Sequence, residues 1–421
     1  MERAEWRTVP IHELYEGLYD GPHATPKPSA AGPVFLGIRN VTDDGQLDLS
    51  EIRHIDEDDY PTWTRRVEPR PGDLVFTYEA TLNRYAIIPE NFRGCLGRRM
   101  ALIRPDPRKV DVRFLLYYFF TDSWRAVIKN NMLTGATVDR IPLTSFPEFP
   151  VRVPPFPVQQ RLVEILSAYD ELIENNQRRI RILEEMARDL YREWFVHLRF
   201  PGHEKVKLVP SSLGDIPQGW SVKKLSEIAE VNRAQINARN APDELHYIDI
   251  SSVSPGQIDS ITTYAFADAP GRARRIVQHG DVLWSCVRPN RRSQVMVMDP
   301  EANTIASTGF AVLTAKSVPF TFLYAATTTD DFVSYLTNNA SGAAYPAVTA
   351  PTFEKAELVV PPSALLERFG DATIPITEQV HALQRQIQNL RRTRDLLLLR
   401  LLSGTLSLSR GDLPEVQEVS S

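Results

Sequence analysis

Cysteine is scarce in this sequence. Among 421 residues only Cys95 and Cys286 occur. Two distant thiols make neither a disulfide framework nor a metal site, so both read as small buried hydrophobes in a protein of the reducing cytoplasm. Long apolar runs are missing too. The longest, such as Leu115 to Phe120 and Leu396 to Leu399, fall far short of the roughly 20 residues that span a bilayer, and no membrane association is expected. The opening Met1-Glu2-Arg3-Ala4-Glu5-Trp6 lacks the apolar core of a secretory signal. The eight histidines are scattered, and His12, His23 and His246 stand outside any cluster with ligand spacing, so no metal site is expected. No G-x-x-x-x-G-K-[ST] phosphate loop occurs, which argues against an ATP-driven motor. Val153-Pro154-Pro155-Phe156 superficially matches the Asn/Asp-Pro-Pro-Tyr/Phe loop of amino-methyltransferases. Val153 has no polar atom to bond a target amino group, however, and Val360 holds the same place further on. These prolines read as a connector that stops one element and launches the next. Neither a catalytic residue nor a bound cofactor is expected in this chain.

What is present is a duplication. Pro71-Gly72-Asp73-Leu74-Val75-Phe76 returns as His279-Gly280-Asp281-Val282-Leu283-Trp284. Gly135-Ala136-Thr137 returns as Gly342-Ala343-Ala344, Phe146 as Phe353, and Pro154-Pro155 as Pro361-Pro362. Trp220, Leu225 and Ile228 correspond loosely to Trp6, to Ile11 or His12, and to Leu14. A long heptad pattern follows each Pro-Pro pair. Hydrophobic residues at 43% and charged residues at 24% suit a globular protein, and each half is long enough to bury its own core. The expected organisation is a globular domain over 1–153, a long helix over 154–199, a linker over 200–219, a second globular domain over 220–360, a second long helix over 361–404, and a flexible tail over 405–421. Within the first domain, Val34 to Ile38, Leu74 to Tyr78 and Met100 to Arg104 read as strands, and Val112 to Asn130 as one amphipathic helix.

The net charge of −5 argues mildly against nucleic acid, but its distribution argues for it. Residues 1–59 carry 13 acidic and 5 basic side chains, whereas residues 65–113 carry 11 basic and 6 acidic. Residues 272–292 carry six arginines against Asp281 alone. Both basic stretches flank the repeated Gly-Asp motif. Each alone reads as a solvated basic face; recurrence at corresponding positions points to phosphate or base contact.

The helices have the clearest local pattern. In the first, Leu166, Ile173, Ile180, Ala187 and Trp194 recur every seven residues beside Leu162, Tyr169, Asn176, Leu183 and Leu190. In the second, the spacing runs through Ile376, Val380, Leu383, Ile387, Leu390, Arg394, Leu397 and Leu401. Such apolar seams call for a partner helix, and the second helix can return antiparallel to the first. Pro375 is expected to kink or restart the second helix. Asn176 and Arg394 both occupy seam positions; either they meet or each reaches solvent.

Three segments of the centre carry a family resemblance: Val153-Pro154-Pro155-Phe156-Pro157-Val158-Gln159-Gln160-Arg161, Asp170-Glu171-Leu172-Ile173-Glu174-Asn175-Asn176, and Leu190-Tyr191-Arg192-Glu193-Trp194-Phe195. The linker Arg199-Phe200-Pro201-Gly202-His203 and the opening Leu213-Gly214-Asp215-Ile216-Pro217-Gln218-Gly219-Trp220 add to it, as do Cys95 to Met100 and Ala306 to Leu313. Together they resemble the specificity subunits of type I restriction–modification systems over essentially the whole chain. That resemblance implies an α+β chain in which two pseudo-symmetric α/β target-recognition domains are separated by two long antiparallel coiled-coil helices. Each domain would read one half of a bipartite target in double-stranded DNA. The helices would set the spacing, on the order of one helical turn or about 34 Å, and dock two modification (methyltransferase) subunits. S-adenosylmethionine is expected in those partners, and a restriction subunit is a further candidate member of the assembly. The second helix departs from the pattern, because Ser363-Ala364-Leu365-Leu366 lacks the Gln-Gln-Arg that follows the first Pro-Pro.

Arginine can pair with guanine, and Asn or Gln with adenine. Candidate DNA contacts are therefore Tyr78, Asn83, Arg84, Arg98 and Arg99 in the first half. In the second they are Arg274, Arg275, Arg288, Asn290, Arg291, Arg292 and Ser307. For each, a phosphate or structural role weighs ahead of base reading. The loops at Gly135-Ala136-Thr137 and Gly342-Ala343-Ala344-Tyr345 read either as DNA-facing or as ordinary turns. Two other functions stay open from the residues alone: a self-sufficient DNA methyltransferase or nuclease, and a coiled-coil scaffold that binds no DNA.

Overall fold

The computed structural model describes residues 6–135, 138–342 and 345–402. Ala136, Thr137, Ala343 and Ala344 of the two glycine loops lie outside the described residues, as does the tail over 405–421. The chain divides into two compact units, Met1–Glu174 with Gln388–Ser421, and Asn175–Ile387. Each unit thus takes part of both long helices.

The first unit is organised by the strand Leu74–Thr77, whose four residues are all buried. It sits inside a four-stranded antiparallel sheet with Tyr15–Asp20, Met100–Pro105 and Tyr85–Ile87. Side chains alternate across a strand, so Leu74 and Phe76 enter one core while Val75 enters another. The first core closes against the helices Val112–Phe119 and Asp122–Asn131, the second against Leu36 and Leu96 of a smaller sheet. In that smaller sheet Ser29–Leu36 pairs in parallel with Gly94–Leu96. The expected single helix over Val112 to Asn130 is two helices. The break is at Thr121, whose hydroxyl accepts the Trp124 N–H at 3.2 Å and caps a new start.

The second unit repeats this plan. Val282–Ser285, again buried throughout, sits in a four-stranded sheet of the same order. Val282 and Trp284 face one core, Leu283 the other. Helices Phe320–Thr327 and Asp330–Asn338 follow, with Thr329 capping Phe332 at 3.2 Å as Thr121 caps Trp124. Ile11 is fully buried and His12 exposed, so Ile11 is the residue that matches Leu225. The segment 200–219, expected as a linker, contains a hairpin of Leu208–Ser211 with Gly214–Pro217. Phe200 and Ile216 join the core of the second unit, so apolar burial rather than chain flexibility decides its structure.

The repeated Gly-Asp is the turn that launches each buried strand. Gly72 and Gly280 have φ of +86° and +81°, a left-handed conformation that glycine adopts without steric cost. Asp73 and Asp281 are buried, and each accepts a backbone N–H three residues back, from Arg70 and from Gln278, at 2.8 Å. Their remaining partners differ. Arg104 forks onto Asp73 at 2.7 Å, whereas the Thr314 hydroxyl donates to Asp281 at 2.7 Å. Burial raises the Asp281 carboxyl, a shift that its hydrogen bonds from Thr314 and Gln278 and the charge of Arg233 only reduce.

The Gln-Gln-Arg departure has a structural cause. Gln159 is buried, accepts the Asp111 N–H at 2.9 Å, and donates to the Pro154 carbonyl at 2.9 Å. Asp111 precedes the helix Val112–Phe119. At the equivalent place before Phe320–Thr327 stands Pro319, which has no N–H to satisfy. Leu366, buried at the position of Gln159, therefore suffices.

The long helices span Phe156–Tyr191 and Ser363–Leu402. The first ends in a π turn, Arg192–Val196, short of the expected 199. The second runs unbroken through Pro375, so the expected restart does not occur. Pro375 lies on the exposed side, where a carbonyl deprived of its donor is open to water. Of the seam residues, Leu162, Leu166, Ile173, Asn176, Ile180, Leu383 and Ile387 are buried, while Leu183, Leu190, Val380, Leu390 and Leu397 are half-buried. Near the end of the second helix Leu398 is more buried than the expected Leu397. Asn176 and Arg394 do not meet. Asn176 donates to Gln386 at 3.4 Å within the second unit. Arg394 reaches Asp170 at 2.7 Å within the first, where the Tyr117 hydroxyl also donates to Asp170. Burial alone would lower the Arg394 pKa; the hydrogen bonds and charges of Asp170 and Asp395 overcome it and hold it raised.

Two outcomes are expected in thermal unfolding. Gln159→Leu strands the Asp111 N–H and Leu366→Gln buries an unpartnered amide, so each costs about 1–3 kcal/mol despite each importing the residue found in the other copy. Asp170→Asn leaves Arg394 with Asp395 alone and weakens the Tyr117 bond. Because the Asp170–Arg394 pair is partly open to solvent, the expected loss is about 2 kcal/mol, below that of a fully buried pair.

Candidate nucleic-acid interface

In each unit three loops meet at the end of the buried strand. In the first unit these are the hairpin loop 78–84, the loop 97–99 and the paired residues 133 and 138–140. Tyr78 donates its N–H to Arg99 O at 3.1 Å, Ile141 to Tyr78 O at 2.8 Å, and Ala80 to Asp139 O at 3.0 Å. Leu133 and Arg140 exchange backbone hydrogen bonds of 2.8 and 3.0 Å. The second unit makes the same set. Cys286 donates to Gly309 O at 2.8 Å, Val348 to Cys286 O at 2.9 Å, and Arg288 to Pro346 O at 2.7 Å, while Ser341 and Ala347 pair at 2.9 and 2.8 Å. The described residues that flank the glycine loops are thus bonded to the arginine-bearing hairpins.

Left-handed non-glycine residues concentrate here: Ala80, Asn83 and Arg99 in the first unit, Arg288 and Arg292 in the second. Such conformations are costly and persist where surrounding structure enforces them. At Ala80, Arg99 and Arg288 the enforcing structure is the backbone hydrogen-bond set just described.

The candidate side chains fall into distinct environments. Tyr78 is buried in the core, its hydroxyl 3.5 Å from His23 Nε2, and burial, then the Asp20 and Glu79 carboxylates, push its pKa up to about 12. Ser307 is also buried, and its hydroxyl accepts the Gly309 N–H at 3.2 Å. Both support loops from beneath. Asn83 accepts a hydrogen bond from the Tyr85 hydroxyl at 3.2 Å. Arg84 pairs with Asp43 at 2.7 Å and Arg99 with Glu79 at 3.1 Å. Arg98 is exposed and has no ion pair among the described residues. In the second unit Arg292 pairs with Asp330, and Arg288 lies over the Tyr345 ring with its guanidinium carbon 4.7 Å from the centroid. Asn290 and Arg291 are exposed on the short turn Pro289–Arg291. Arg274 and Arg275 lie on the strand Ala273–Ile276, which pairs with the strand ending at Ser307. Arg274 rests 5.3 Å from the Phe266 ring centroid, and the buried Nε of Arg275 has no hydrogen-bond partner among the described residues.

Residues not singled out from sequence also reach these loops. Arg140 is exposed beside Tyr78, and Arg66 pairs with Asp20, which also holds His23. They come from segments remote in sequence, and only the hairpin pairing brings Arg140 next to Glu79. The cysteines are unreactive in character: burial pushes the Cys95 thiol up to about 12 and that of Cys286 up to about 11. Among the described residues no group of three His, Cys, Asp or Glu side chains converges to hold a metal, and no described helix is long and apolar enough to cross a membrane.

This chain is similar to known proteins along most of its length. Residues 67–185 match the profile of the type I restriction modification DNA specificity domain. The specificity subunit of the type I restriction enzyme MjaIX from Methanocaldococcus jannaschii is 23% identical over 94% of this chain and 88% of its own. That of the HindI enzyme from Haemophilus influenzae is 21% identical over 80% of this chain and 86% of its own. The crystal structure of a type I restriction–modification S subunit from M. genitalium shares the fold, with a TM-score of 0.56 at 15% identity over 95% of this chain and 97% of the other. The relatives are of one kind, and the chain is similar along most of its length to the specificity subunits of type I restriction–modification systems.

Proposed function

We propose that this chain is the DNA-recognition subunit of a type I restriction–modification complex and performs no catalytic step itself. One observation carries the reading: the same three-loop cluster, on the same backbone hydrogen bonds, occurs in two units of one chain, while the side chains it presents differ. A common scaffold with unlike loops suits two unlike halves of a bipartite target. Arginine and asparagine predominate among the presented groups, as phosphate positioning and base-edge reading require.

The long helices would serve as an antiparallel spacer and as the docking surface for two modification subunits. At 1.5 Å per residue, their 36 and 40 residues correspond to about 54 and 60 Å, ample for half-sites about one helical turn apart. The polar contacts Asp170–Arg394 and Asn176–Gln386 would fix how the helices register. Methyl transfer, with its S-adenosylmethionine, would reside in the modification subunits. A restriction subunit would join the same assembly, and a cytoplasmic setting fits access to chromosomal DNA.

Mapping methylated bases across the host genome should yield a split motif with a fixed gap. Replacing residues 1–150 by those of a relative should change one half of that motif and leave the other intact. A change in both halves would refute the division of labour. Binding of the assembled complex to duplex DNA should weaken steeply with salt, by about 10³ to 10⁵ between 50 and 200 mM if six to ten phosphates are neutralised. A flat salt response would leave only a scaffold.

A further inference from the structure

We infer that Asn83, held by a chain of hydrogen bonds rooted in the core, reads a keto oxygen (guanine O6 or thymine O4) in the half-site of the first unit; this rests on the DNA-recognition function proposed above. The chain begins at Trp124, which is fully buried. Its Nε1–H donates to the hydroxyl of the equally buried Tyr85 at 2.9 Å, and that hydroxyl donates to Asn83 Oδ1 at 3.2 Å. Chemistry fixes the direction of both bonds. An indole nitrogen can only donate, so the Tyr85 oxygen accepts. Burial pushes the Tyr85 hydroxyl up, and it keeps its proton. Among the described residues that proton has no acceptor besides Asn83, and leaving it unpaired in the core would be costly. Asn83 must therefore turn its carbonyl to Tyr85.

What remains on Asn83 is an NH2 group, with no partner among the described residues. The residue is half-buried in the loop 78–84 and left-handed at φ 61°, a conformation that asparagine tolerates better than most side chains. Directly after it the ladder closes, with the Thr77 N–H on Arg84 O at 3.1 Å. Backbone and side chain are thus both held. In the major groove guanine and thymine offer a keto oxygen to such a donor, whereas adenine and cytosine offer an amino group. The bidentate adenine mode would need the amide carbonyl for N6–H, and here that carbonyl serves Tyr85. An amide held in one direction distinguishes keto from amino edges.

The other copy shows that the fold does not need this chain. Phe332 stands at the place of Trp124, three residues beyond the capping threonine. Gln294 pairs with Trp284 as Tyr85 pairs with Phe76. Arg292, two residues before Gln294, takes the place of Asn83 and is also left-handed, at φ 55°. Asp330 holds it instead. The backbone conformation is kept while all three side chains are exchanged, as two heads reading unlike base pairs require.

The test uses the full chain assembled with its modification subunits. The wild-type motif is first mapped by methylation, and its first half is assigned by exchanging residues 1–150. Each base pair of that half is then substituted in competitor duplexes. Asn83→Gly is expected to lose roughly 5- to 150-fold discrimination between keto and amino bases at one position, with the salt slope unchanged. Glycine relaxes the left-handed backbone, so a folding defect would not explain the loss. Asn83→Asp keeps an acceptor for Tyr85 and replaces the donors by a second acceptor, so preference at the same position should move toward cytosine or adenine. Tyr85 is a positioning residue, and Tyr85→Phe should relax that position alone. Trp124→Phe weakens the core but leaves the Tyr85–Asn83 bond, and it should keep the discrimination. Equal losses in Tyr85→Phe and Trp124→Phe would reduce Tyr85 to core packing and overturn the positioning chain. Weakening spread uniformly over all sequences in Asn83→Gly, or unchanged specificity there, would overturn the base-reading role. Absence of salt-dependent binding by the wild-type complex would instead refute the recognition function, and this inference with it.

Discussion

Everything in each unit hangs on one strand that is buried on both faces. Leu74–Thr77 and Val282–Ser285 expose nothing to solvent, so consecutive side chains feed two cores rather than alternating between core and water. A shift of register by one residue would exchange the two sets of side chains and disrupt both cores. The strand is thereby pinned along its axis. Its entry is pinned by the left-handed glycine and the buried aspartate. Its exit is the point from which the three loops are tied together, and Tyr78 and Cys286, the first residues beyond it, each hold two of them by backbone bonds. The loop cluster inherits its rigidity from the packing behind it.

The two copies satisfy the same buried groups by different means, which shows what is structural in the repeat. Asp73 has a guanidinium where Asp281 has a hydroxyl. The Asp111 N–H needs Gln159, and Pro319 removes the need. In each case what is kept is the balance of donors and acceptors, and the residue identities follow from it, because an unpaired buried polar group costs more than either solution. The loops obey no such constraint beyond their backbone bonds. Ala80 and Arg288, or Val138 and Tyr345, occupy matching places with nothing chemically in common.

This division explains what could be read from the sequence. The duplicated turns, the helical seams and the two-unit plan were legible, because they rest on glycine, proline and apolar period, which act over a few residues. The break at Thr121 was harder, since the apolar pattern runs across it and only a capping bond marks the restart. The partners of Asn176 and Arg394 were left open because seam position alone does not set register. Asp170, one turn before Ile173, and Gln386, beside Ile387, supply the actual partners. Among the candidate contacts, Tyr78 and Ser307 look from sequence like presented groups, yet they lie beneath the loops. Arg140 and Arg66 look unremarkable until hairpin pairing places them. Residue type reports chemistry, whereas depth and neighbourhood are set by contacts between distant segments.

The acidic balance of the chain takes on meaning at these loops. Arg84, Arg99 and Arg292 each carry a carboxylate partner, so much of the local positive charge is already compensated. Exposed ion pairs contribute only about 0–1 kcal/mol, and a phosphate can replace such a carboxylate at little cost. What the pairing supplies is orientation: each guanidinium is held in place by its carboxylate, and were it to contact DNA as proposed, less ordering entropy would be lost on binding. It also reduces attraction to any duplex at a distance, where only net charge is felt. A net charge of −5 with locally held arginines therefore favours contacts that depend on geometry over contacts that depend on charge alone. For a protein whose task is to distinguish one sequence among many, that is the direction in which electrostatics must be weighted.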